Sequence, residues 1–250
     1  MKTTINIFKV LIVLFISTTL STAQNQHYRI HVDHVYPSSS EAYGVLAKKL
    51  ADMAKENKEE DSWNILWTYD NRVFTIAPMN GWEDMSKPFL PNTREEMGNE
   101  KFAELFEEFD KHYDDHNDYM IHLSGNLSYL PEEANAALAG KNYRKILVMY
   151  YKARDGEKLR EVAKKFKDLY TQKQSKSYYR FYFSGFGNPE SYVMVVSAAE
   201  NQLEYAKQSE ANRKLMGEEA EKLWNELSQY ITKIEYVEGE MQPELSYNPN

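Results

Sequence analysis

The pattern Leu-Ser-Tyr-x-Pro occurs at residues 127–131 and again at residues 245–249, a spacing of 118. Sliding residues 101–131 onto 219–249 needs no gap. Phe102, Leu105, Phe106 and Phe109 fall on Ala220, Leu223, Trp224 and Leu227, while Tyr113 falls on Ile231 and Tyr119 on Val237. The i, i+3, i+4, i+7 spacing predicts an amphipathic helix in both copies. Each helix leads to a short extended run, at 118–124 and 233–238, and then to the tail. A chain built from one unit used twice has few folds open to it.

The front halves agree at an offset of 116. Residues 28–35 (YRIHVDHV) and 146–151 (ILVMYY) read as first strands. Ser38 and Glu41 form a capping-box start for the first helix, and Asp155 can cap its counterpart. Tyr43, Leu46, Leu50 and Met53 then match Leu159, Val162, Phe166 and Leu169. Two hairpins follow. Residues 63–69 turn at Asp70-Asn71 into 72–76, and residues 178–183 turn through 185–189 into 191–196. Each half therefore reads strand, helix, strand, strand, helix, strand, the ferredoxin-like pattern. The units are 24–131 and 144–250, with 132–143 as a linker containing a short helix. Residues 80–98 are an insertion in the first copy, expected to cross an edge or mouth. Residues 198–215 are more simply helical.

A four-stranded sheet with both helices on one face must cover the other face. Two α+β units packed sheet to sheet do so. This arrangement resembles the dimeric α/β-barrel superfamily with both halves in one chain. The resemblance spans the whole chain after its leader and lies in topology and length, with no diagnostic motif. It implies a barrel like those of antibiotic-biosynthesis monooxygenases, stress-response barrels and haem-binding chlorite dismutase relatives.

The first 23 residues hold Lys2 and Lys9, an apolar run at 10–16, and Ser21-Thr22-Ala23 at a cleavage site. They read as a secretory signal peptide, with no lipobox cysteine, and predict a periplasmic or secreted protein. Removing them leaves 38 acidic side chains against 28 basic ones, which argues against a nucleic-acid partner. No later stretch is apolar enough to span a membrane. With no cysteine, thiolate nucleophiles, disulfides and Cys-ligated metals are excluded.

The barrel interior is where a small-molecule ligand would bind. Alternation along the first strand puts Tyr28, Ile30 and Val32 on the helix side and Arg29, His31 and Asp33 inside. His31 is then a candidate acid/base group oriented by Asp33, with Arg29 or Arg180 holding an anionic group. Trp63, Trp67, Arg180 and Tyr182 are the further candidate ligand-binding residues; the pattern leaves open which face of their strands is inner. The competing reading is a wet polar face with Arg29 and Asp33 paired. His112 and His116 would share a helix face near Asp110, Asp114 and Asp115, but solvated surface charge explains them as well, and no metal is assigned. No motif selects a cofactor. The expected function is binding of a small, partly aromatic molecule, with cofactor-free monooxygenase-like chemistry. Its alternatives are a non-catalytic envelope protein that uses the fold for dimerisation or partner docking and a haem-binding barrel, which needs a histidine beside a vacant apolar slab.

Overall fold

The computed structural model describes residues 25–249, so the leader expected at residues 1–23 lies outside the described residues. The first repeat contains β1 (Gln26–Val35), α1 (Ser40–Glu56), β2 (Asn64–Thr68), β3 (Arg72–Met79), α2 (Pro91–Met97), α3 (Asn99–Phe109) and β4 (Tyr113–Leu123). The short α4 (Ala134–Leu138) lies in the connection. The second repeat contains β5 (Tyr143–Tyr151), α5 (Gly156–Gln172), β6 (Tyr179–Ser184), β7 (Tyr192–Ala199), α6 (Gln202–Ser228) and β8 (Ile231–Met241).

All eight strands close into one antiparallel barrel in the order β1-β3-β2-β8-β5-β7-β6-β4. The two sheets face each other across the interior and join at two short seams. Leu66, Trp67 and Thr68 of β2 meet β8, and Ile121, His122 and Leu123 of β4 meet β6. Closure removes exposed sheet edges. Equivalent strands of the two repeats run in the same direction, so the pseudo-twofold axis lies along the barrel axis.

Helices cover the outside. Tyr43, Ala47, Ala51 and Ala54 of α1 pack with Phe102, Leu105 and Phe109 of α3 on Ile65 and Val73. Leu159, Val162 and Ala163 of α5, with Leu227 of α6, pack on Phe181, Phe183 and Val193. The caps differ from expectation. Both α1 and α5 begin after a short 3₁₀ turn; Ser38 lies within the first of these, Ser39 takes the cap position, and neither Ser39 nor Asp155 makes a side-chain cap bond. The last strands are also longer than the sequence suggests. β4 starts at Tyr113 because pairing with β1 continues to Val35. Residues 113–116 are therefore strand, and His112 and His116 do not share a helix face. Among the described residues, no three His, Asp or Glu side chains converge as a metal site.

The Leu-Ser-Tyr tails are exchanged. The tail of the first repeat closes the second: Tyr129 bridges Tyr179, the Ser128 hydroxyl accepts the Phe181 N–H at 2.9 Å, and the Tyr129 hydroxyl donates to the Ser175 carbonyl at 3.0 Å. The tail of the second closes the first: Tyr247 bridges Trp63, Ser246 accepts the Ile65 N–H at 2.9 Å, and Tyr247 donates to the Glu59 carbonyl at 2.9 Å. Leu127 and Leu245 enter the cores of the opposite repeats. The insertion carries Trp82 to Phe186, in the β6–β7 turn, with ring centroids 6.3 Å apart. Strands β1 and β4 stand between β3 and β6, so it crosses the outside of β1 and β4.

Candidate functional site

Side-chain alternation fixes which residues enter the barrel. Tyr28, Ile30 and Val32 of β1 pack inward with Phe74, Ile76, Tyr119 and Ile121. Leu66, Ile146, Val148, Tyr192 and Val237 complete the apolar middle. The expected facing of β1 is thus reversed: Arg29, His31 and Asp33 lie outside. Trp63 and Trp67 are outside too, in the core beneath α1, so neither lines the interior. Arg180 and Tyr182 point inward, since their neighbours Tyr179, Phe181 and Phe183 pack under α5.

The interior widens at one mouth into a cavity of about 300 Å³. Its lining comes in equivalent pairs from the two repeats. Val32 and Val148, His34 and Tyr150, Arg72 and Tyr192, Phe74 and Met194, Asn117 and Glu235, Tyr119 and Val237 each hold the same register place in their own half. The cavity therefore sits on the pseudo-twofold axis, and its two walls differ in chemistry. His34 stands directly opposite Arg72 across β1 and β3. Arg72 pairs with Asp70 at 2.7 Å and lies 5.4 Å from the Phe74 ring centroid. On the other wall the Tyr150 hydroxyl donates to Glu235 at 3.0 Å, and Tyr192 donates to Asn188 at 2.7 Å. A hydrogen bond from Lys233 holds the Glu235 carboxyl below its ordinary range. Burial pushes the Tyr119 and Tyr150 hydroxyls up to about 12, so both remain hydrogen-bond donors at neutral pH.

Outside the barrel, Arg29, His31 and Asp33 form a chain with partners from β4 and α1. Arg29 pairs with Asp118 at 3.1 Å, so its carboxylate is Asp118 and not Asp33. His31 Nδ1 lies 3.3 Å from Asp118, and its Nε2 lies 2.9 Å from the buried Asp33. The Tyr43 hydroxyl donates to Asp33 at 2.5 Å. Burial opposes charge on His31, but hydrogen bonds to Asp118 and Asp33 outweigh it and raise the imidazole to about 9. A protonated ring held between two carboxylates has no lone pair for base chemistry. The structure thus separates His31 and Asp33 from the cavity and gives them the geometry of a structural ion pair.

His34 stands three positions after His31 in the sequence, so strand alternation puts it on the opposite face, with the inner residues. Arg72, Tyr119, Tyr150, Tyr192 and Glu235 carried no signal of their own. The repeat offset could have found them, because positions equivalent to an inner residue are also inner.

A second, apolar slot of about 200 Å³ lies between α5, α6 and the sheet, lined by Leu147, Met149, Phe166, Phe181 and Trp224 among others. It has the apolar character a haem would need, but all six histidines lie in the first repeat. The tyrosines at the slot, Tyr170 and Tyr179, are both pushed up by burial, which disfavours a phenolate ligand. The residues there do not fit haem.

No family profile matches the sequence, and no curated protein matches it. Solved structures do match the fold. A candidate monooxygenase from Lactobacillus acidophilus superposes with a TM-score of 0.54 at 8% identity, over 91% of this chain and 98% of that one. An anthrone oxidase-like protein superposes at 0.55 and 8% identity, over 89% and 94%. A candidate monooxygenase from Fusobacterium nucleatum gives 0.53 at 9% identity, over 86% and 92%. The chain is an α+β protein with the closed eight-stranded barrel of the dimeric α/β-barrel architecture. At this identity the likeness concerns the fold.

Proposed function

We propose that the protein binds a small, partly aromatic molecule in the cavity between His34 and Tyr150. The observation that carries this reading is a cavity of about 300 Å³ on the barrel axis, walled by Phe74, Tyr119, Tyr150 and Tyr192. That volume is at the lower end of the range for small-molecule pockets, roughly 300–1,000 Å³. Aromatic walls suit a planar ring, and the polar groups converge from the rim. The leader read from residues 1–23 makes it an exported binding protein. The chemistry we infer is monooxygenase-like and needs no cofactor. His34 takes a proton from a phenolic or enolic hydroxyl, Arg72 faces the resulting oxyanion, dioxygen adds to the activated ring carbon, the imidazolium returns its proton to give a hydroperoxide, and loss of water leaves a carbonyl. The structural neighbours described as monooxygenase candidates and anthrone oxidase-like support this class.

The test is titration of a panel of phenols and anthrones by calorimetry, with oxygen uptake followed in parallel, on the wild type and on Met194→Trp, which fills the cavity. Binding lost in Met194→Trp, and uptake lost in His34→Ala, support the reading. Binding that survives a filled cavity would overturn it, and so would no binding of any member of the panel by wild type, which favours a non-catalytic docking protein of the envelope.

A further inference from the structure

The opposite mouth of the barrel has a different chemistry. Arg144 of β5 stands across from Ala198, and Arg180 of β6 across from Val196. Both therefore flank β7 from either side, two residues apart, on its inner face. Their equivalents in the first repeat are Tyr28 and Asn64, so the paired guanidiniums belong to the second repeat alone. Tyr28 and Tyr182 stand beside them, with ring centroids 6.1 Å apart.

Neither arginine is ion-paired with a carboxylate among the described residues. Arg29, Arg72 and Arg154 are, while Arg94 and Arg160 lie over the Phe102 and Phe183 rings. Arg144 donates instead to the backbone carbonyls of Lys141 at 2.5 Å and Tyr143 at 3.1 Å. In a chain with 38 acidic side chains, two half-buried like charges facing one barrel mouth without an acid is a costly arrangement. Guanidinium does not escape it by losing its proton. Burial, and then Arg180, lower Arg144 to about 10, which leaves it cationic at neutral pH. Tyr182 is pushed up to about 12 by burial and stays a donor.

We infer that this mouth is an anion site, in which Arg144 and Arg180 hold a phosphate or carboxylate group with hydroxyl donation from Tyr28 and Tyr182. Guanidinium forks match such oxyanions in bidentate geometry. The site is separate from the cavity. Tyr28 and His34 are six positions apart on β1, about 20 Å at the usual rise of a strand, and Ile30, Leu66 and Ile76 fill the barrel between them.

The experiment is thermal unfolding of the full mature chain in chloride, titrated with inorganic phosphate, sulfate or benzoate at constant ionic strength. Wild type should show a saturable rise in Tm with at least one of these, and Arg180→Gln should lose it. Phosphate and sulfate acting without benzoate identify a tetrahedral anion; benzoate alone identifies a carboxylate. In chloride, Arg180→Gln should unfold no earlier than wild type, because it removes a like-charge repulsion and no ion pair. Tyr192→Ala, at the other mouth, should keep the anion response, which separates this site from the cavity reading. No saturable response to any of the three anions, or one that persists in Arg180→Gln, would overturn the inference.

Discussion

At the scale of single residues, the outer face of β1 is governed by one imidazole between two carboxylates. His31 is raised to about 9 and its partner Asp118 is lowered to about 2, with the hydrogen bond between them acting on both. Because the folded His31 value lies above the unfolded value of about 6.5, its contribution is complete below that pH. It is lost as pH rises through about 9. Urea unfolding between pH 6 and 10 should show this decline in the wild type and not in His31→Gln. The side chains are partly exposed, so the Coulombic part is screened. The buried end matters more. Tyr43→Phe removes the donor to a carboxylate oxygen of Asp33 and should cost roughly 1–3 kcal/mol by equilibrium unfolding. The sequence showed this polar row but not its side. Apolar residues of an ordinary sheet seek the helices, whereas here Ile30 and Val32 pack across the barrel, and β4 is exposed from Asp114 to Asp118. Which strands the helices shelter is decided by where α1 and α3 land, and no alternation pattern encodes that.

At the scale of elements, closure depends on two short seams and two clasps. Gly239 sits at the β2–β8 seam opposite Thr68, and a Cβ there would come within 2.3 Å of the Trp67 carbonyl oxygen. Gly239→Ala should therefore push the strands apart and destabilise by roughly 1–3 kcal/mol, as overpacking does. Hydrogen exchange should place the damage at residues 66–68 and 239–241. In the clasps, Ser246→Ala takes the acceptor from the Ile65 N–H and should cost about 1 kcal/mol. Faster exchange confined to the start of β2 would distinguish it from a general loss of stability. The elements themselves were largely legible, since helix and strand periods repeat in register. Their ends were not. β4 and β8 each extend beyond the predicted run because a partner strand continues alongside, a tertiary cause acting on residues such as Asp114 and Asp115 that are poor strand formers.

At the scale of the whole molecule, the repeat fixes a pseudo-twofold axis, and the axis decides where a ligand can sit. At one mouth equivalent positions have diverged into His34 and Tyr150, Arg72 and Tyr192, Asn117 and Glu235. A symmetric cavity would hold a ligand in two equal orientations; this one offers a cationic wall and a hydroxyl-rich wall, and so selects one. Arg72→Gln should weaken an anionic aromatic ligand about tenfold or more, the loss of a charge-assisted hydrogen bond, and leave a neutral analogue unaffected. Competition calorimetry with the two analogues reads this directly. The topology was open to sequence reasoning because two nearly equal offsets, 116 for the front of the unit and 118 for its back, aligned the halves. The mouths were not, because divergence between equivalent positions looks like noise until the axis is known.

The exchanged tails also bear on descent. Each core is finished by a segment encoded in the other half, so neither half is a complete folding unit. A single ancestral copy would have had to give its tail to a twin, closing the barrel as a homodimer, before duplication and fusion put both copies under one start codon. Two polypeptides made by cutting the chain at residues 132–141 should still find each other, and each should recover its missing tail contacts from its sibling.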